Sequence, residues 1–254
     1  MELQGFNATL SVPDVSVPKA SCGGAVAELK ERDSPTDTPT HMLDVAERRF
    51  AESGLDNVSL REIVRLSGQS NLSAAHYHFG SREGLIGALL TRRLRTINLL
   101  RNERLDALAA ATPGPSVNGV VQQSIGPLAD VVKSTAWGAD YVRVAAQVLL
   151  NPQAGVLARI EPDAKRGLVR CTRMLRQLLP QLAPEVFEDR IRILNNETVY
   201  SIARWVYANG RVTPENHARF ERLVRHTTEF LAAGLMFQAG AAHTGQPLAM
   251  ESTA

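Results

Sequence analysis

Between Ser59 and Arg82 the chain crowds side chains that hydrogen-bond well and react poorly. Gln69, Ser70, Asn71, Ser73 and Ala74 are short or amide-bearing, and His76, Tyr77 and His78 follow at once. Short donors and acceptors at a narrow helix end can approach flat hydrogen-bonding surfaces such as base edges, which bulkier side chains would hold off. The imidazoles and the phenol can donate to phosphate oxygens or lie against a thymine methyl. Arg82 puts a cation in the first turn of the next expected helix, where the helix dipole favours an acid. A phosphate at that position would account for the misfit. His76 and His78 stand two apart, so on a helix they point to different faces, and no third ligand lies nearby; no metal site and no cofactor are expected.

The elements that must hold these groups are marked in the sequence. Ser59 and Glu62 have the spacing of a capping box, and Val58 and Ile63 that of a hydrophobic staple, so a helix starts at Ser59. It runs to about Leu66 and ends at Ser67-Gly68, where glycine can take the left-handed conformation. Asn71 is a suitable N-cap for a second short helix, with Leu72, Ala75 and Phe79 at helical spacing facing inward. Two short helices across a tight turn form the pattern of a helix-turn-helix, whose second helix lies in the major groove.

Across the rest of the chain, apolar residues recur three and four apart between Pro/Gly breaks. Helices are expected near 39–53, 59–66, 71–78, 81–110, 116–134, 137–151, 162–179, 184–208 and 214–239. No run alternates polar and β-branched residues, so the class is all-α. The expected organisation is a flexible tail over 1–38, a helix-turn-helix domain over 39–85, a larger helical domain over 86–240 and a second tail over 241–254. Hydrophobic residues make up 44% of the 254 and charged ones 21%, a globular balance. Residues 59–104 carry eight arginines against three glutamates, which either an anionic partner or a solvated helix face explains. Cys22 and Cys171 are too few and too far apart for a disulfide framework. The longest apolar runs, such as Val144 to Leu150, are too short to span a bilayer, and the N-terminus lacks a secretion signal, so a cytoplasmic location is expected. Hydrolase, metalloprotease and nucleotide-binding motifs are absent, which argues against an enzyme.

Residues 42–90 resemble the DNA-binding domain of tetracycline-repressor-like (TetR-family) transcriptional regulators. Leu43, Ala46, Phe50-Ala51-Glu52 and Gly54 look like the family's first helix, and Ser59-Leu60-Arg61-Glu62-Ile63 like its second. Tyr77-His78-Phe79-Gly80-Ser81-Arg82-Glu83-Gly84-Leu85-Ile86 looks like its signature end. Between Gly68 and Phe79 the chain holds one residue more than the commonest family pattern. The resemblance implies a three-helix DNA-binding domain followed by a larger ligand-binding and dimerisation domain. Carried over by position, Ser59, Arg61, Tyr77, His78 and Arg82 would contact phosphates; Gln69, Asn71, Ser73, Ala74 and His76 would face bases, with Ser70 also counted among the DNA-binding residues.

Such a reader needs a pairing surface. The last two expected helices are apolar on more than one side: Val199, Ala203 and Val206 broaden one stripe, while Phe220, Leu223, Thr227, Phe230, Gly234 and Phe237 form another at heptad-like intervals. Either they pair two copies or they fill the core of one. The resemblance further implies a small-molecule effector pocket, for which Trp137, Tyr141, Cys171, Met174, Asn195, Tyr200 and Trp205 offer apolar bulk with sparse polar groups. The expected function is a ligand-released repressor that binds a palindromic operator as a homodimer. The alternatives are a DNA-binding dimer without a switch, or an all-α enzyme.

Overall fold

The computed structural model describes residues 38–69, 71–151 and 155–237. Nine α-helices run through them: α1 (Thr38–Ser53), α2 (Leu60–Leu66), α3 (Leu72–Phe79), α4 (Arg82–Ala110), α5 (Val117–Ser134), α6 (Gly138–Leu150), α7 (Arg166–Leu178), α8 (Pro184–Asn209) and α9 (His217–Met236). Two short 3-10 turns, Leu157–Arg159 and Pro162–Lys165, join α6 to α7. None of the described residues forms a strand, and the fold is all-α. The two expected tails lie outside the described residues, apart from Thr38, and so do Ser70 and Cys22.

The short N-terminal helices are fixed by their ends. Ser59 caps α2 by accepting from the Glu62 amide at 3.1 Å. The reciprocal half of the expected capping box is not made, because Glu62 accepts from the Arg49 guanidinium on α1 at 2.7 Å instead. A charge-assisted bond is worth more than a return to a backbone amide, and it ties α1 to α2. Gly68, at φ +70°, turns the chain out of α2, and Asn71 starts α3 by accepting from the Ser73 amide at 2.9 Å. Ser81 caps α4. A side chain at Gly84 would place its Cβ 1.9 Å from the Phe79 carbonyl oxygen, so α3 and α4 meet this closely only with glycine there.

Helix α4 is the spine of the molecule. Leu85, Ile86 and Leu89 are buried in its first half, which meets α1 and α3, while Leu90 and Ile97 face the hollow of the body and Leu105 is buried further along. Arg93, 6% exposed, lies between Glu47 and Asp44 of α1, with Nη2 at 2.6 Å from Glu47 Oε2 and 3.1 Å from Asp44 Oδ1, and its guanidinium stacks 4.3 Å from the Trp137 ring centroid. Removing one partner of such a buried pair costs about 3–5 kcal/mol, so α1 is firmly docked on α4. Gln147 of α6 makes a second tie: its Oε1 accepts from the Leu55 amide at 2.8 Å and its Nε2 donates to the Phe50 carbonyl at 3.3 Å. The helix expected over 162–179 is divided, with a 3-10 turn up to Lys165 and α7 beginning at Arg166. Asn98 of α4 donates to the Ala164 carbonyl and fastens that turn to the spine.

Candidate nucleic-acid interface and internal cavity

Helix α3 rests on α2 and α4 through buried Ala75 and half-buried Leu72 and Phe79, as the inward spacing requires. Its other face is bare. Asn71, Ser73, His76, Tyr77 and His78 are exposed, Tyr77 to 86%, while Gln69 and Ala74 are half-buried at the same end. The Tyr77 and His78 rings meet edge to face at 5.3 Å, which holds two donors side by side. His76 Nδ1 lies 3.0 Å from the Gly80 carbonyl, so that nitrogen carries the proton and Nε2 is left as an acceptor in the neutral ring. Ser59 uses its oxygen as a cap acceptor and keeps its O–H for another partner. Arg61 stands exposed on α2, and so does Arg65 one turn later, a cation that the family pattern did not single out. Its signal was helical spacing from Arg61.

Arg82 is placed otherwise than expected. Its guanidinium turns inward, donating from Nε to the Val58 carbonyl at 2.9 Å and from Nη2 to the Leu55 carbonyl, and it lies 5.6 Å from the Phe50 ring centroid. The cation that seemed misplaced at a helix N-terminus fills the bend between α1 and α2. Backbone carbonyls 24 and 27 residues earlier take two of its N–H groups, and the Glu83 carboxylate lies 3.7 Å from its Nη1.

Two hollows stand out in the body among the described residues. One, about 80 Å3, lies between α4, α5, α6, α7 and α8 and is walled by Ile97, Leu128, Val148 and Leu168, with Arg101, Tyr141 and Asn195 among its polar groups. Of the residues expected around a ligand, Tyr141 and Asn195 line it. Trp137 stands behind Tyr141, edge to face at 6.1 Å, and Trp205 packs on Phe220 at 4.8 Å. Cys171, Met174, Tyr200 and Trp205 lie outside the wall, because the inner faces of α7 and α8 carry them into neighbouring packing. Arg101, Asn196, Thr198 and Val199 were missed. A lone arginine among Leu94, Ile97 and Leu105 at helical spacing was the signal that could have found the first. The second hollow is a surface groove of about 690 Å3 between α4, α5 and α9. Most of its charges are paired, with Lys133 Nζ at 2.8 Å from Asp130 Oδ1 and 2.5 Å from Glu221 Oε1, and Arg104 Nη2 at 2.5 Å from Asp130 Oδ2.

The residues expected to pair two copies divide. Ala203, Val206 and Phe220 are buried within the subunit, and Val199 sits in the cavity wall, so these four belong to the core of one copy: buried surface adds no area to a contact with another. Leu223, Thr227, Phe230, Gly234 and Phe237 lie along the outer face of α9 with Phe230 76% and Phe237 63% exposed, and Ile193 of α8 is also exposed. Among the described residues no helix is long and apolar enough to cross a membrane, and no group of three metal-binding side chains occurs.

Residues 42–89 match the pattern described as "Bacterial regulatory proteins, tetR family", and residues 123–234 match the "Tetracyclin repressor-like, C-terminal domain". The chain belongs to the TetR family. This TetR-family regulator is similar in fold to the fatty acid degradation regulator FadR from Bacillus halodurans, with TM-score 0.54 at 12% identity over 81% of this chain and 100% of that one. It is also similar to a tetR family transcription regulator from Shewanella sp. PV-4, with TM-score 0.53 at 14% identity over 78% of this chain and 98% of that one. At such identities the likeness is one of fold. No curated protein matches the chain.

Proposed function

We propose that this TetR-family regulator is a repressor that binds a palindromic operator as a homodimer and is released by a small molecule held in the internal cavity. The observation that carries the reading is the bare outer face of α3, capped at Asn71 and flanked by exposed Arg61 and Arg65. In this reading Gln69, Asn71, Ser73, Ala74 and His76 present to base edges, while Ser59, Arg61, Arg65, Tyr77 and His78 hold phosphates. Arg82 acts on DNA only through the shape of the α1–α2 bend. One α3 covers a single half-site, so two copies joined along the outer face of α9 would read two half-sites about 34 Å or a multiple apart. The small size of the cavity supports a second reading, a DNA-binding dimer with no small-molecule switch.

The test is a gel shift with DNA from upstream of the protein's own coding region, repeated across salt concentrations. A steep loss of affinity with salt, together with preference over scrambled DNA, is expected. Tyr77→Ala weakens binding, and Phe230→Glu yields a folded monomer by light scattering that binds at least ten-fold more weakly, since each half-site contributes to affinity. Equal binding to scrambled DNA, or a Phe230→Glu protein that stays dimeric, overturns the reading. Candidate metabolites added to the same assay separate switch from scaffold.

A further inference from the structure

Among the described residues, Arg101 is a cation that the fold buries without a counter-ion. It is 3% exposed on the inner face of α4. Its Nε donates to the Gln123 carbonyl at 3.0 Å, its Nη2 to the Ser124 carbonyl at 3.1 Å and its Nη1 to the Asn98 side-chain oxygen. Part of this is structural. Pro127 inside α5 has no N–H, so the Gln123 carbonyl four residues earlier lacks its helical donor, and Arg101 Nε–H replaces it. That role uses one of five N–H groups and none of the charge.

No carboxylate pairs with Arg101 among the described residues; the titratable groups that face it are Cys171 and Tyr141. Burial pushes the Cys171 thiol and the Tyr141 phenol up, so both are neutral, and burial pulls the Arg101 guanidinium down. Arg93, about two turns earlier on the same helix and equally buried, receives both Glu47 and Asp44. An unpaired buried charge costs several kcal/mol, so Arg101 stands as a site whose anion comes from elsewhere. It stands in the wall of the internal cavity, where the remaining surface is mostly apolar and Tyr141 and Asn195 add a hydroxyl and an amide.

We propose that the internal cavity binds a small apolar carboxylate, whose carboxylate is the counter-ion of Arg101 and whose hydrocarbon part lies against Ile97, Leu128, Val148 and Leu168. Three of the five guanidinium N–H groups are engaged, which leaves two for the anion. The hollow is partly open to solvent, and its 80 Å3 is roughly half of a cavity that encloses benzene, so it takes the carboxylate and the first carbons of a short branched acid of about three to five carbons while the chain end stays toward the opening. A neutral ligand would leave the charge unanswered and an amine would repel it. The proposal rests on the reading of this cavity as the effector site.

The experiment measures thermal stability of the full-length protein with sodium isovalerate against isovaleramide, its neutral isostere, at matched ionic strength. Isovalerate is expected to bind about ten- to a hundred-fold tighter, the difference a charge-assisted bond makes, and to raise Tm accordingly. Arg101→Gln is expected to erase the preference. If that variant does not fold, Tyr141→Phe keeps the ring and removes one donor, and is expected to weaken isovalerate several-fold while leaving isovaleramide within two-fold. Equal stabilisation by acid and amide, or none by either, overturns the proposal. Release of operator DNA is scored in parallel. Release by the amide alone would sink the carboxylate and keep the switch, whereas stabilisation by the acid without release would keep the carboxylate and sink the switch.

Discussion

Arg82 and Arg61 differ by surroundings that no spacing in the sequence reports. The guanidinium of Arg82 is spent on the Val58 and Leu55 carbonyls, whereas Arg61 is exposed on α2. Arg82→Ala therefore removes charge-assisted bonds and uncovers carbonyls, at a cost of about 1–3 kcal/mol. A fall in Tm of several degrees is expected, with the salt slope of operator binding unchanged. Arg61→Ala is expected to leave Tm within a degree or two and to lower the salt slope by about one, the signature of a lost phosphate contact. Thermal melts and binding isotherms at several salt concentrations check both, and a reduced slope for Arg82→Ala would restore it as a phosphate ligand. The helix caps could be read from Ser59, Asn71 and Ser81 because a cap is satisfied within three residues. The partners of Arg82 could not, because the chain folds back over 24 and 27 residues to supply them.

Elements are docked by pairs that periodicity treats as ordinary polar positions. Glu47 lies on α1 at 3% exposure, and burial raises its carboxyl from the usual 4.5 to about 6, against the lowering effect of Arg93. Its folded pKa thus exceeds its unfolded one, so the native state holds this proton to higher pH than the unfolded chain does. The stability that Glu47 contributes is fully present below pH 4.5 and is lost as pH rises through about 6, a swing of about 2 kcal/mol. Chemical denaturation of the wild type and of Glu47→Gln between pH 4.5 and 7.5 measures it, because other carboxylates cancel in the difference. The wild type should lose stability relative to the variant across that window; a flat difference would mean that Arg93 fully offsets the burial. The nine helices and their class could be read from apolar spacing, since each buries one stripe. Which copy a stripe packs against could not: Phe220 and Phe230 sit on one helix in one repeat, yet the first is fully buried and the second 76% exposed.

At the scale of the whole molecule, α6 joins the cavity to the reading head. Tyr141 near its start lines the cavity, and Gln147 near its end holds the Phe50 carbonyl and the Leu55 amide at the exit of α1. Beyond Leu55, Val58 leads into the cap of α2, so a shift of α6 would carry into the frame that aims α3. Coupling requires an element that both sites bias, and α6 touches both. Gln147→Met keeps the length of the side chain and removes both bonds. We expect it to leave operator affinity without ligand within about three-fold, while the ratio of affinities with and without effector falls toward one, since coupling of this kind is typically worth about 1–3 kcal/mol. The measurement is operator titration of both proteins with and without an effector shown to bind the wild type. Release of the variant at the wild-type ratio would mean that the signal leaves the body by another route, of which the Arg93 link between α4 and α1 is the next strongest.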